Sequence, residues 1–297
     1  MAETPLLISL CVVTYKSDPF IVETLESIKA QTYAPIELIV SDDCSPDDTV
    51  DICRRWLSAN SQRFVRTQLV TSEVNTGVSA NANRAFRAAR GQWLKILAGD
   101  DKLMPNCIDD NVRYVMAHPG VEVVFSNLQT FGEVATAETL DYTRYFTRLS
   151  PVEFCRWQMV YNSFPAPSSL MSRIVYERLG GFEETIPFME DKPFWVKALH
   201  HRVPMGCFAG PTVAYRIHGG SLVHSKRERA AWLVDSDRQA ARFFIRYMYL
   251  EGWLFGVFGR CLYAKELHAG LVGRLVYALR LLNPYYYYLK RLKRRLQ

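Results

Sequence analysis

Between residues 8 and 97, short β-rich apolar runs alternate with amphipathic helical stretches, and this alternation constrains the fold more than any other feature of the chain. Residues 8–13, 36–40, 64–70 and 93–97 read as strands, with helices over 20–30, 49–57 and 78–89 between them. In the first helical stretch Ile21, Leu25 and Ile28 share one stripe while Glu23, Glu26 and Lys29 face away, as expected of a helix laid on a core. Strand and helix in strict alternation predict an α/β domain: a mostly parallel central sheet with helices on its faces. Beyond it come a helix over 105–116 with proline near its first turn, a strand over 121–125, and an irregular Thr- and Tyr-rich stretch over 129–150 that reads as a mobile loop. A strand over 168–171, a Gly180-Gly181 turn, a helix over 193–200 and a strand over 213–215 follow, and from residue 227 onward everything reads helical.

Ligands of open α/β sheets sit beyond the carboxyl ends of the strands, so the residues that follow each apolar run are the ones to inspect. Ser41, Asp42, Asp43, Cys44 and Ser45 follow the second strand, and Ala98, Gly99, Asp100 and Asp101 follow the fourth. Adjacent carboxylates at a strand end repel each other unless a hard cation with oxygen ligands neutralises them. The same letters also fit a turn and helix cap ahead of Pro105, and Ser45 or Asp47 could cap the helix over 49–57. In Met189-Glu190-Asp191-Lys192-Pro193 the proline makes Asp191 or Lys192 the natural N-cap. An aspartate there is held ionised by backbone N–H groups, which suits a general base as well as it suits a plain cap. His218 ends a strand beside Gly219 and Gly220, within reach of a metal or phosphate, whereas His200-His201 reads as a partner for a helix C-terminus.

The chain lacks Gly-x-Gly-x-x-Gly, Gly-x4-Gly-Lys-Ser/Thr, Gly-x-Ser-x-Gly and His-Glu-x-x-His, the signatures of dinucleotide oxidoreductases, P-loop enzymes, α/β-hydrolases and zincins. Seven cysteines without a Cys-x-x-Cys pair argue against a zinc ribbon or a disulfide framework and for a reducing cytoplasm. Residues 1–7 carry Glu3 and no basic segment, so no signal peptide is expected. With 297 residues there is room for one catalytic-size domain and an appendage. The formal charge of +6 is concentrated at Lys290, Arg291, Lys293, Arg294 and Arg295, which argues for a local anionic partner such as lipid head groups rather than nucleic acid.

Taken in order, Ile8-Ser9-Leu10-Cys11-Val12-Val13-Thr14-Tyr15, Gln31-Thr32-Tyr33, Val40-Ser41-Asp42-Asp43-Cys44-Ser45, Asn75-Thr76-Gly77-Val78-Ser79, Leu97-Ala98-Gly99-Asp100-Asp101 and Glu190-Asp191 resemble glycosyltransferase family 2, the inverting enzymes of GT-A fold. The resemblance covers residues 8–221 and implies a GT-A domain over 1–222, with a nucleotide-sugar half (1–104), an acceptor half (105–222) and a helical region over 223–297 outside it. It implies that Thr14, Tyr15, Asp42, Asp43, Asn75, Gly77, Asn83 and Arg84 serve the nucleotide sugar, and that Asp100 and Asp101 form the DxD-type motif. Asp101 would then hold Mn²⁺ or Mg²⁺ on the diphosphate, with His218 approaching it. Asp191 becomes the base, with Glu190 as the neighbouring alternative. Two positions depart from the family pattern: Ala98 stands where the first DxD acid is expected, and Ala82 where a donor-phosphate arginine is expected, leaving Arg84 as its substitute.

The implied reaction is a single inverting displacement. A carboxylate deprotonates an acceptor hydroxyl, which attacks the anomeric carbon opposite the diphosphate. A catalytically silent sugar-nucleotide or glycan-binding relative is the alternative reading. A nucleotidyltransferase would need a glycine-rich basic loop that residues 14–19 lack. Residues 242–282 are apolar but interrupted by charges, so a membrane-spanning helix is not expected. With Tyr285 to Tyr288 and the basic run behind them, the tail reads as an interfacial segment on the inner leaflet, which makes a polyprenyl-diphosphate-linked saccharide of O-antigen or capsule type a natural acceptor. A helical lid over the sheet or an oligomer contact is the other reading of the tail.

Overall fold

The computed structural model describes residues 5–133, 137–219, 231–268 and 270–297, with backbone alone at 231–233. The expected boundary at 222/223 and the Gly220-Ser221 part of the His218 motif lie outside the described residues. The first strand, β1 (Ile8–Thr14), is buried along its whole length, as a central strand covered on both faces must be. It pairs in parallel with β2 (Ile36–Asp42) after α1 (Ile21–Lys29), and β2 pairs in parallel with β3 (Arg66–Thr71) after α2 (Thr49–Asn60). Helix α3 (Val78–Ala88) then returns the chain to the other side of β1, where β4 (Trp93–Ala98) pairs in parallel. Chain direction across the sheet therefore reverses between β1 and β4, which opens a crevice at their carboxyl ends. Register puts Thr14 opposite Asp42, and Val13 opposite both Ser41 and Ala98, so the acidic segments share one rim.

Ile21, Leu25 and Ile28 of α1 are buried as the period predicts. Fully buried Ile8, Leu10, Val12 and Leu38 each contribute roughly 1.5–3 kcal/mol of transfer free energy.

The second half is mixed rather than parallel. A short β5 (Lys102–Leu103) precedes α4 (Cys107–Ala117) and the nine-residue β6 (Val123–Phe131). The stretch read as a loop over 129–150 instead contains the end of β6, then β7 (Thr139–Leu140) and α5 (Thr143–Arg148). Tyr142 and Tyr145 explain the difference, because they bury their rings around Phe164 and turn the segment into core. Helix α6 (Pro151–Val160) opens with a Ser150/Glu153 capping box, and β8 (Ser169–Ser172), α7 (Arg173–Arg178), α8 (Asp191–His200) and β9 (Met205–Arg216) follow. The sheet order is β3-β2-β1-β4-β8-β6-β9-β5, with β7 beside β6. β8 is antiparallel to β4 and β6, while β9 runs parallel to β6 and antiparallel to β5.

Among the described residues five helices follow: α9 (Ala231–Leu250), α10 (Trp253–Leu262), α11 (Ala264–Leu267), α12 (Gly270–Ala278) and α13 (Pro284–Leu296), with a 3-10 turn at Leu279–Leu282. They pack on the domain through α9 against α8 and α6 and through α13 against α5 and α6. One face of the tail packs on the domain: Leu289, Leu292 and Leu296 are buried, Arg295 pairs with Glu153 at 2.6 Å, and the Arg295 and Arg148 side chains each bond the other's backbone carbonyl. No helix of the described residues is long and apolar enough to cross a membrane.

Candidate active site

Thr14 and Asp42 end their strands side by side, and the Thr14 hydroxyl donates to Asp42 Oδ2 at 2.8 Å. Asp42 also accepts from the Ser45 amide (2.8 Å) and hydroxyl (2.6 Å), which closes the turn through Cys44 at φ +64°. Ser45 is thus spent on Asp42, and α2 takes Asp48 as its N-cap with no bond from the Asp48 side chain, while Asp47 Oδ1 accepts from the Thr49 amide at the start of the helix at 3.2 Å. Asp43 accepts from the Thr76 amide (2.9 Å) and hydroxyl (2.6 Å) and from the Gly77 amide (2.7 Å), and pairs with Arg84 at 3.2 Å. The Asn75-Thr76-Gly77 loop hangs on this carboxylate, and Asn75 Oδ1 accepts from Gly77 at 3.2 Å. Gly77 has φ +89°, and a Cβ there would lie 2.6 Å from Pro187, so glycine is required by both conformation and space.

Arg84 spends its guanidinium on Asp43, Thr76 and Asn81, pointing into the loop it braces. Tyr15 stands exposed on the same rim. Asn83 does not join the group. It is buried on the far side of α3, donating to the Phe182 carbonyl and Glu184 and accepting from Tyr176 and the Phe182 amide, so no bonding capacity is left for a nucleotide sugar.

The second acidic segment is built differently. β4 stops at Ala98, and Gly99 fits against Ser17 and Thr14 with no room for a Cβ. Pairing of β5 with β9 then brings Arg216 and His218 over Asp100 and Asp101. Asp101 is 1% exposed; Oδ1 accepts from the Arg216 amide at 2.8 Å, while Oδ2 is buried with no hydrogen-bond partner. Burial first, and then the charge of Asp100, push its carboxyl well above the usual range. Asp100 Oδ2 lies 3.0 Å from His218 Nε2, and the His218 ring packs on Phe20. Arg216 bonds the Asp100 carbonyl at 2.7 Å, reaches Glu23 at 2.8 Å, and lies between the rings of Phe20 and Phe131.

A buried carboxylate oxygen without a donor is costly unless a proton or a cation compensates it. Among the described residues no three acidic, histidine or cysteine side chains form a ready-made metal cage. Asp101, Asp100 and His218 nevertheless supply the donor types a hard divalent ion accepts, with remaining ligands left to a bound phosphate group.

Glu190 and Asp191 stand at the start of α8, with Glu190 as N-cap and Asp191 in the first helical position, one residue earlier than Pro193 suggested. Asp191 Oδ2 accepts from Asn162 at 2.9 Å and Oδ1 from the Lys192 amide at 2.6 Å. Burial raises Asp191 above the ordinary carboxyl range, against the pull of these donors. Burial and then Asp191 push Glu190 up to about 8. The Lys192 side chain runs the other way, with Nζ 3.3 Å from both the Val160 carbonyl and the Tyr263 hydroxyl and 4.1 Å from the Phe244 ring centre; burial pushes it down to about 7. The Tyr215 hydroxyl lies within the electrostatic reach of both acidic pairs, being pushed up by burial and then by Asp101, Asp100, Asp191 and Glu190. His200 ends α8 and bonds Glu251 at 3.0 Å.

Three residues of this site escaped the sequence reading, and Lys192 was read only as a possible N-cap. Tyr215 and Arg216 sit in the stretch that ends at His218, where an alternating strand would have marked them. Asn162 and Lys192 reach their places through the turn after α6 and the packing of α9–α11, which no local pattern announces.

An uncharacterized glycosyltransferase of Haemophilus influenzae is 25% identical over 221 residues, covering 72% of this chain and 66% of that protein. A putative teichuronic acid biosynthesis glycosyltransferase of Bacillus subtilis, TuaG, is 28% identical over 37% of this chain and 42% of its own length. The chain thus matches less than two thirds of either relative. Among solved structures, Staphylococcus aureus TarS in complex with UDP-GlcNAc superposes with a TM-score of 0.66 at 16% identity, covering 96% of this chain and 88% of that one. A Pyrobaculum calidifontis mannosyltransferase in complex with GDP-Man and Mn²⁺ gives 0.57 at 18% identity, over 99% and 86%. The fold is that of these GT-A neighbours. Residues 9–179 match Glycosyl transferase family 2, more than half of the chain, and the protein belongs to that family.

Proposed function

We propose that this chain is an inverting glycosyltransferase that moves a sugar from a nucleotide-diphosphate donor, first of all a UDP-sugar, to a hydroxyl of a glycan or polyprenyl-diphosphate-linked saccharide in bacterial surface-polysaccharide assembly of O-antigen or capsule type. The observation that carries the reading is Asp101 Oδ2, a buried oxygen with no partner on the rim it shares with Asp100 and His218. Mn²⁺ or Mg²⁺ held by Asp101 and Asp100, with His218 beside them, would neutralise the departing diphosphate.

Thr14, Tyr15, Asp42, Asp43, Asn75 and Gly77 wall the nucleoside side of the crevice. Asn162 aims the Asp191 carboxylate at the acceptor hydroxyl, whose proton Asp191 takes. Glu190, pushed up to about 8 by burial and then by Asp191, is taken as the member that keeps the shared proton, which leaves Asp191 ionised. The names of TuaG, of TarS with UDP-GlcNAc and of the mannosyltransferase with GDP-Man and Mn²⁺ support the donor class, the metal and the polysaccharide setting. Residues 1–104 then serve the donor and 105–222 the acceptor, in a cytoplasmic protein working at the inner membrane face with its helical region over 223–297.

The test is turnover of a panel of UDP-, GDP- and dTDP-sugars with Mn²⁺, Mg²⁺ or EDTA, comparing wild type with Asp101→Ala and Asp191→Ala. One donor should turn over in a metal-dependent way, and both variants should lose roughly 10²- to 10⁴-fold in rate. Only Asp101→Ala should also lose metal-dependent donor binding. Donor binding without turnover on any acceptor would favour a silent relative, and no donor binding at all would overturn the reading.

A further inference from the structure

Exposed apolar side chains are unevenly spread. Ten of the nineteen large ones among the described residues fall between Leu250 and the C-terminus, which is far more than that stretch's share of the chain. Along α12 and the 3-10 turn, Leu271, Leu275 and Leu279 recur every fourth residue, and Leu282 continues the stripe; Leu271 is 70% exposed and Leu282 81%. Gly273 explains why the stripe faces outward. It sits on the opposite side of the helix, where a Cβ would lie 2.3 Å from the His268 carbonyl, so α12 is pressed onto the protein through that glycine. The Asn283 side chain donates to the Leu254 carbonyl at 3.2 Å and brings the end of the turn beside the start of α10, where Trp253 is 69% exposed.

Charge decides what can cover this ridge. From residue 252 to the end there are nine basic side chains and one acid, Glu266. Arg274 on α12 and Lys290, Arg291, Lys293 and Arg294 on the adjoining α13 are all exposed. A second copy of the chain would bring the same positive field against itself, whereas an anionic surface complements it. We infer that the ridge formed by Trp253, Leu254, Leu271, Leu275 and Leu282 is a docking face for an anionic lipid bilayer. It lies in the head-group region while α13 supplies the cations.

This assigns insertion to α12 and its flanks and removes it from the tyrosine-rich tail, whose Leu289, Leu292 and Leu296 are buried in the protein. It deepens the membrane-surface part of the proposed function and does not depend on sugar transfer. The ridge also belongs to the helices that hold Lys192 through Tyr263, so the docked surface is continuous with the support of α8.

The test is flotation of the full chain with phosphatidylcholine vesicles containing about one third phosphatidylglycerol, against phosphatidylcholine alone. Wild type should float with the anionic vesicles and lose most binding when the charge is screened at about 0.5 M salt. The double variant Leu275→Glu/Leu282→Glu should lose about tenfold or more of the bound fraction. Lys290→Glu/Arg294→Glu should lose about fivefold for each cation that contacts the surface. All four positions are exposed, so unchanged circular dichroism melting confirms that binding and not folding is lost. Flotation of the leucine variant at the wild-type level would overturn the inference. So would absence of wild-type binding together with self-association that the leucine variant abolishes. Vesicle binding with no donor turnover would sink the sugar-transfer reading and leave this one standing.

Discussion

The two acidic segments on the rim follow parallel strands that flank β1 and carry paired aspartates, yet the protein treats them in opposite ways. Asp42 and Asp43 are saturated: every oxygen accepts from a backbone amide, a hydroxyl or Arg84. Asp101 accepts a single bond and buries an oxygen that accepts none, and Asp100 leans on a histidine. The first pair holds loops in place. The second stores an unmet electrostatic demand that a ligand can meet, and the free-energy cost of leaving a buried acceptor bare, about 1–3 kcal/mol, is borne by the folded state until then.

Substitutions should split along that line. Asp101→Ala removes the buried oxygen that has no partner, so activity should fall by the large factor given above while the urea midpoint of the ligand-free protein stays level or rises. Asp43→Ala strands two amides and the Arg84 guanidinium, so it should cost about 3–5 kcal/mol in a urea titration, comparable to breaking a buried ion pair. If Asp43→Ala were as stable as wild type, the division between scaffold and ligand-facing carboxylates would fail.

How much of this was legible in the letters follows the same division. The parallel half was readable almost to the residue, because buried runs such as residues 8–13 and the stripe of α1 are set by local period. The region over 129–150 was not, since the rings of Tyr142 and Tyr145 gain their place only against Phe164, twenty residues on. Within the site, adjacent aspartates announced both acidic turns but not their opposite bonding, which is decided by Arg84 and by Arg216, more than one hundred residues from Asp101. The tail showed aromatic and basic residues and led to the expectation of insertion there. Which leucines face inward depends on packing against α5 and α6.

The Glu190-Asp191 pair lies between the two extremes, with some donors and too few, and pH should expose it. Glu190 is raised when folded and ordinary when unfolded, so the folded state retains a proton that the unfolded chain releases. Its contribution to stability is therefore complete below the ordinary carboxyl range and is lost as pH rises toward about 8. Glu190→Gln should flatten that slope and leave the variant more stable than wild type on the alkaline side, as melting temperature against pH would show. An unchanged slope would mean that Glu190 ionises freely, and the pair would then belong with the saturated class.

The smallest expected effect isolates a single hydrogen bond of that pair. Asn162 donates to Asp191 Oδ2 and favours the ionised form, so it works against the burial that raises the carboxyl. Asn162→Ala removes this donor and must raise Asp191 further. Because the base acts only when ionised, the acid limb of the rate profile should move to higher pH, with a loss of about tenfold in kcat below the limb and little loss on the plateau above it. A purely structural role would instead lower the rate by the same factor at every pH. The direction of the limb therefore decides whether Asn162 tunes the base or only packs beside it, and a shift to lower pH would show that Asp191 draws its charge stabilisation from elsewhere on the rim.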